Sequence, residues 1–493
     1  MRFPLSTVSL YLKSPLGLAP LVFALMLSAC PAQAQLQPYR FDLKAEKLDV
    51  PAGPWQVARV LDLRADRSRL GTVHRGIDNG LTSADFPQAL APEVLTFLRT
   101  RMKVLPGARP VLMRVFTLAL AEDLRPTSEN AEAELVADFL EPQPDSTYRV
   151  LLAVGETARH GGLDATKHHP ANVALVLQQA ASKLAAAPSP LAIAETLSQA
   201  DALAGRGGAA TQRFAIQTAA VPRRGFYRSI DEFRNNTPSE ADYPFEFEHI
   251  AHTGKRWAGV EDVQAYYLRT DAKHSRQLVN RSGLWGVSDG KEALIVYRGS
   301  FYKLLPGPDG RNYTYMGPAL YDEKAAATMT TAIVLGGLVG GAIAGAANSA
   351  APLVPYEVRL ASGRVVPVPD AATTDADGFT TPPDTAHVYV YRRFNSAKDQ
   401  PVTLTVPGRA AVALPAREWV ALNWTSRRNE LKVCVQAANG AETCQEFVPD
   451  FSQPTYLECS VPVAGGLPTL RAVPPKEGAF EMRRIRMLKK AGH

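Results

Sequence analysis

Apolar and polar positions along this chain change period several times, and each change marks an element. Gln56–Leu63 alternates as a strand does, and Leu70–Val73 continues as a second strand. Phe86–Met102 then carries Leu90, Val94, Leu95 and Leu98 at helical spacing. Val111–Leu120 reads as a buried strand, Glu129–Leu140 as a helix and Tyr148–Val154 as another buried strand. Pro170 opens a further helix through Leu184, since proline is tolerated in a first turn. Strands alternating with helices over 54–184 predict an α/β layer domain. Residues 185–222, rich in Ala, Gly and Pro, are expected to form a linker, with a helix near Leu191–Leu203 and a flexible run Gly205–Thr211.

Beyond Arg223 the pattern shortens. Short strands at Gln264–Leu268, Leu284–Val287, Ala293–Tyr297, Tyr302–Leu304 and Tyr313–Met316 are separated by the turn sequences Asp289-Gly290-Lys291 and Pro308-Asp309-Gly310. They predict a small β domain over 223–324. Residues 353–384 read as a short strand pair (Tyr356–Leu360, Arg364–Val368) followed by a polar linker. From 385 to 486 the alternation is strong, and turns recur at the spacing of a β-sandwich. Residues 487–493 form a basic tail. The expected architecture is therefore α+β multidomain: an α/β N-terminal domain, a small β domain, a glycine-rich helical segment and a C-terminal β-sandwich.

That glycine-rich segment, 325–352, carries no charge. Gly337, Gly341 and Gly345 repeat every four residues, as do Gly336 and Gly340. Glycine on one helix face lets a second backbone approach closely. In a water-exposed helix each glycine costs about 1 kcal/mol relative to Ala, so five in this stretch point to packing against a partner helix, a second copy or a bilayer. A flexible Gly/Ala loop is the competing reading.

The N-terminus adds a compartment. Arg2 and Lys13 precede an almost wholly apolar run, Leu16–Leu27, as in a secretory signal over residues 1–35. Leu27-Ser28-Ala29-Cys30 fits a lipobox, which would make Cys30 a lipidated mature N-terminus. Ala32-Gln33-Ala34 fits ordinary cleavage before Gln35 and gives a plain secreted protein instead. Export makes oxidised cysteines plausible. Cys434 and Cys444 flank Ala438-Asn439-Gly440, a hairpin turn that places them level across two strands, so a Cys434–Cys444 disulfide is expected. Cys459 is the competing partner or a free buried thiol. A disulfide there also predicts that the glycine segment does not cross the inner membrane once, because the last domain would then sit in a reducing compartment.

Composition changes little. The 493 residues suggest two to four domains, and 46% hydrophobic with 21% charged residues describes a folded chain. A net charge of +6 suits work near anionic surfaces. No basic stripe is interleaved with aromatics, so nucleic acid is not an expected partner. The one basic cluster, Arg483, Arg484, Arg486, Lys489 and Lys490, reads as a solvated, frayed end.

Candidate chemistry is sparse. Asp164, His168 and His169 form one potential metal group, but Pro170 places them ahead of the helix as loop and capping residues. Glu246, His249 and His252 would share a helix face and could hold a metal, yet Phe245–Glu248 alternates like a strand. Gly286-Val287-Ser288-Asp289-Gly290 matches the nucleophile-elbow pattern, which needs a strand before Ser288 and a helix after it. Short strands on both sides favour a hairpin turn. Ser288-x-x-Lys291 and Ser300-x-x-Lys303 lack companion motifs, and Gly205-x-Gly207-x-x-Ala210 follows a helix rather than a strand. No catalytic residue, metal or cofactor is expected.

Three segments carry resemblances. Val388-Tyr389-Val390-Tyr391-Arg392, Val402 through Gly408, Leu414, Trp419 and Gly466-Leu467-Pro468 leading to Leu470 and Val473 resemble an uncharacterised family of bacterial envelope-lipoprotein domains. Val60-Leu61-Asp62-Leu63-Arg64 and Leu70-Gly71 are similar to the α/β modules of small envelope lipoproteins, among them activators of cell-wall synthases and auxiliary lipoproteins of envelope transport. Residues 332–347 resemble the glycine-zipper segments of outer-membrane lipoproteins. The resemblances imply a non-enzymatic exported envelope lipoprotein, facing the periplasm at the outer membrane, with a scaffolding, binding or assembly role. Its partners would be the membrane, through lipid at Cys30 and the glycine segment, and an envelope protein or a second copy. An accessory subunit of a transport or cell-wall synthesis complex is the first alternative, and a secreted hydrolase the second.

Overall fold

β6 (Ser128–Pro142) is an inner strand of the first sheet, paired on both sides. Ala131, Ala133, Leu135, Ala137 and Phe139 are all buried, alternating along the segment expected as the helix Glu129–Leu140. Ala, Glu and Leu favour a helix locally, but apolar residues at every second position from Ala131 to Phe139 suit a strand with ladders on both sides, and tertiary pairing overrides propensity. The computed structural model describes residues 37–75, 80–125, 128–162, 164–187, 195–251, 261–268, 276–318, 353–368, 384–393, 400–462 and 466–490. Cys30, His252 and the glycine segment with Gly336, Gly337, Gly340, Gly341 and Gly345 lie outside the described residues.

The chain is mixed α+β, mostly sheet, with several sheets. The first has eight strands: β1 (Tyr39–Arg40), β2 (Gly53–Asp62), β3 (Gly71–Arg75), β4 (Gly80–Asp85), β5 (Val104–Arg125), β6, β7 (Tyr148–Gly162) and β8 (Thr196–Leu197). Their order is β1-β4-β3-β5-β6-β7-β8, with β2 beside the other half of β5. The centre is antiparallel, β5 to β6 to β7, while β2 and β3 run parallel to β5. One face of this sheet packs helices α1 (Leu90–Arg101) and α2 (His169–Ala186). Val94, Leu98, Val173, Val176, Leu177 and Leu184 bury there, each contributing ~1.5–3 kcal/mol.

The other face is also covered. Cross-strand partners Arg114 and Asp138 lie on it, fully buried, with Nη2 to Oδ2 2.6 Å. The arginine also donates to the carbonyls of Ala202, Arg206 and Gly207. These belong to the stretch expected as a linker. Its described part instead supplies β8, which pairs with β7, and the short helix α3 (Gln199–Ala204), capped by Ser198. Two further short helices are α4 (Ala215–Thr218) and α5 (Ile230–Arg234).

A ten-stranded sheet follows: β9 (Gly225–Tyr227), β10 (Phe245–Ala251), β11 (Glu261–Leu268), β12 (Arg276–Leu278), β13 (Gly286–Ser288), β14 (Ala293–Tyr297), β15 (Ser300–Pro306), β16 (Tyr313–Pro318), β17 (Leu353–Val358) and β18 (Val365–Pro367). The β17–β18 turn docks on the first sheet. Glu134 of β6 accepts from Ser362 Oγ (2.5 Å) and pairs with Arg359 (2.6 Å) and Arg364 (3.2 Å). A Cβ on Gly155 would stand 1.7 Å from the Ala361 carbonyl oxygen, so glycine is what allows the approach.

The last strands are β19 (Ala386–Arg392), β20 (Val402–Thr405), β21 (Val412–Ala413), β22 (Trp419–Trp424), β23 (Leu431–Ala437), β24 (Glu442–Phe447), β25 (Thr455–Ser460) and β26 (Thr469–Val473). They form two four-stranded sheets, β22-β19-β25-β26 and β21-β20-β23-β24, around one core of Val388, Val390, Leu404, Val433, Val435 and Leu457. The basic end is not frayed within the described residues: Pro475–Lys490 is helix α6, packed on Tyr391, Tyr456 and Val473 through Met482 and Ile485. Arg67 pairs with Glu430 (2.6 Å) and Ser83 donates to Asp450 (2.6 Å), joining these sheets to the first.

Candidate functional site

At the end of β5 nearest the start of α2, one buried carboxylate gathers three donors. Glu122 Oε1 lies 3.0 Å from His169 Nε2 and accepts from Thr166 Oγ1 at 2.8 Å. Its Oε2 accepts the His74 backbone N–H at 2.6 Å. The local sequence explains the geometry. Ala165 begins a turn whose N–H donates to Glu129 (3.0 Å), Thr166–His168 is one 3-10 turn, and Pro170 lets the helix start immediately. His169 therefore sits in the first turn of α2, fully buried.

Burial works to raise the Glu122 carboxyl, but hydrogen bonds from His169, the His74 N–H and Thr166 outweigh it and hold the group below its ordinary range. His169 Nδ1 is buried and has no hydrogen-bond partner among the described residues. Around the pair, His160 contacts Asn172 and stacks on His168, with ring centroids 5.7 Å apart. Asn172 in turn donates to the Ala131 carbonyl (2.9 Å). Tyr39 lies 6.4 Å from the His169 ring, under the Arg75 guanidinium. Burial raises the Tyr39 hydroxyl, so it stays a neutral phenol.

The arrangement can hold or release a proton between a carboxylate and an imidazole. The Thr166 hydroxyl donates to the carboxylate and not to the ring. The sequence pointed to His168 and His169 with Asp164. The structure separates them: His169 turns inward to Glu122, while His168 faces His160 and Asp164 is exposed. Glu122, 47 residues upstream of His169 and two residues past the strand expected at Val111–Leu120, had no sequence signal.

The other candidates are placed apart. On β10, Glu246 pairs with Arg276 (2.8 Å) and His249, on the opposite face, with Glu292 (2.8 Å). Ser288 is buried in the β13–β14 hairpin, where its hydroxyl donates to the Glu292 carbonyl (2.7 Å) and accepts the Gly290 N–H (3.0 Å). A strand follows it rather than a helix, so this is a turn and not an elbow. Gly207 and Gly208 approach Arg114 and Asp138 in place of a phosphate. Among the described residues, the one grouping of three ligand-type side chains is Cys434, Glu442 and Cys444. Two of its three ligands are joined to each other as the expected Cys434–Cys444 disulfide, directly opposite across β23 and β24. Cys459 is free and buried, and burial pushes its thiol up to about 11.

No protein-family model matches the sequence, and no curated protein matches it. Three toxin structures align with 72% of the chain at 8% identity: one described as a trapped toxin, pneumolysin, and the human-specific toxin intermedilysin. They are covered over 92%, 93% and 92% of their lengths, with TM-scores of 0.15, 0.16 and 0.15. Values that low carry no argument about fold or role.

Proposed function

We propose that this chain is a non-enzymatic, exported cell-envelope protein, tethered by lipid at Cys30, that scaffolds or binds envelope partners. In this reading the first sheet with its helices, the ten-stranded sheet and a C-terminal β-sandwich are three units fastened into one rigid platform. The glycine segment with Gly336, Gly337, Gly340, Gly341 and Gly345 would pack against a partner helix, a second copy or the bilayer.

The observation that carries the reading is the Cys434–Cys444 disulfide, a bond that persists in oxidising compartments outside the cytoplasm. The fastening supports the scaffold role. Glu134, Asp138, Glu122 and Asp450 each hold one layer or segment to another. The serine that offered hydrolase chemistry is spent in a turn.

Palmitate labelling of wild type and Cys30→Ala, followed by membrane fractionation, tests it. Loss of label and of membrane association together is the expected result. An unlabelled wild type that fractionates as soluble would overturn the tether.

A further inference from the structure

The C-terminal helix α6 has two unlike faces. Its inner face buries Met482 and Ile485 against Tyr391, Tyr456 and Val473. Gly478 lets it lie close, since a Cβ there would stand 2.2 Å from Tyr456 Cγ. Of the two acids of the helix, Glu477 pairs with Arg393 and with Arg471 (3.5 Å), while Glu481, 7% exposed, lies 3.8 Å from Arg484, whose guanidinium stays exposed. Arg486 and Lys489 lie along one flank, over the Trp419 ring.

The outer face is what remains. Phe480, Arg483, Arg484 and Met487 follow each other at helical spacing and form one stripe. Phe480 is 57% and Met487 64% exposed, among the most exposed large hydrophobic side chains described. Two arginines stand between them, and Lys476 extends the stripe. An apolar–cationic stripe of this kind, on a helix whose far side is fixed to a sheet, is complementary to a surface that is anionic on top and apolar just beneath. Phosphate and apolar depth occur together in a phospholipid interface. A nucleic acid would satisfy the arginines and leave Phe480 and Met487 in water.

We infer that the outer face of α6 docks on an anionic phospholipid surface, with Phe480 and Met487 entering the headgroup–acyl boundary and Arg483 and Arg484 meeting lipid phosphates. This second membrane contact does not depend on lipidation at Cys30, and failure of the tether leaves it intact. It would lay the C-terminal sheets against the bilayer.

The test is local to the helix. The exported protein carrying Cys30→Ala, which has no lipid to bring it to vesicles, and Met487→Cys is labelled at position 487 with an environment-sensitive fluorophore; Cys434 and Cys444 are oxidised and Cys459 is buried, so none of them competes. Vesicles of mixed phosphatidylglycerol and phosphatidylcholine should blue-shift the label at low salt, and pure phosphatidylcholine should not. Adding Arg483→Glu and Arg484→Glu should raise the lipid concentration for half-maximal shift about thirtyfold or more, since each basic residue contributes on the order of 1 kcal/mol near such a surface. Both arginines are exposed, and an unchanged thermal midpoint confirms the fold. No shift on anionic vesicles, an equal shift on neutral ones, or indifference to the charge reversal would overturn the inference. So would a shift produced by duplex DNA and not by anionic vesicles.

Discussion

Glu122 and Asp123, consecutive on β5, point to opposite faces of the same sheet, and each fastens a different layer to it. Glu122 takes His169 of α2 on one side, while Asp123 takes Arg298, from the β14–β15 turn, on the other, together with Arg159 at 2.9 Å. A strand's period of two makes this possible with no change of backbone.

The Glu122 contact gives a pH dependence with a definite sign. Its carboxyl is held below its ordinary value in the fold, so its contribution is fully present above the unfolded value and is lost as pH falls. Glu122→Gln should lower stability at neutral pH by about 1–3 kcal/mol, the cost of a buried hydrogen-bonded group left poorly paired. It should also flatten the loss of stability below about pH 5. Urea midpoints measured across that range decide it, and a variant with the wild-type slope would remove Glu122 from the account.

Glu134 fastens the ten-stranded sheet to the first. Burial works to raise its carboxyl, and Arg359, Arg364 and Ser362 together overcome it and hold it low. Glu134→Ala removes one carboxylate from Arg364, which is only 7% exposed. Removing one partner of a buried pair costs about 3–5 kcal/mol, and Glu132 at 3.8 Å from Arg364 places the expectation at the lower end. Limited proteolysis should cut within 353–368 sooner in this variant than in wild type. Equal cutting would show that the turn docks by other contacts.

Gly155→Ala probes the same junction without touching charge. The new methyl group would meet the Ala361 carbonyl oxygen at 1.7 Å, and a backbone oxygen cannot turn aside. Forced overpacking of this kind costs typically about 1–3 kcal/mol. The variant should show the proteolysis pattern of Glu134→Ala, and the two changes combined should cost less than their sum because they release one contact.

Much of the element order was legible in the sequence. The helices α1 and α2, the hairpin at Asn439-Gly440 and the disulfide follow from spacing and turn chemistry that act locally, whereas helix α6 was expected as a frayed end. The failure at Glu129–Leu140 had consequences beyond one element. Read as a helix, it hides that Arg114 and Asp138 are cross-strand partners and that Glu134 shares their face. Acids on the second face of a strand look solvent-facing until the segments that cover them are placed. Those covers, Ala202–Gly208 and Arg359–Arg364, come from 60 or more residues away in sequence, beyond the reach of any local pattern. The same limit hid Glu122, because nothing near His169 announces it.

Ser288→Ala separates a turn from a nucleophile. The hydroxyl joins the Gly290 N–H to the Glu292 carbonyl within the hairpin. Its loss should cost about 1–3 kcal/mol through the unpaired groups. A fluorophosphonate probe should label neither wild type nor variant; labelling that disappears with Ser288→Ala would restore the hydrolase reading.

The disulfide offers the most direct measurement of compartment and stability together. Cys434 and Cys444 are 10 positions apart, so closing their loop restrains the unfolded chain by about 3 kcal/mol at most on chain-entropy grounds. Cys444 lies on β24, at the edge of its sheet and exposed, where a reductant can reach it. Cys459, across the core on β25, is buried with its thiol pushed up to about 11, so it stays protonated and cannot attack the bridge from within. Protein isolated from the cell envelope should therefore give one Cys434–Cys444 bridged peptide by mass spectrometry, and Cys459 should alkylate only after unfolding. Reduction should lower the urea midpoint by an amount that Cys434→Ser with Cys444→Ser reproduces. Both thiols found reduced in the isolated protein would place these strands in the cytoplasm and remove the observation on which export rests.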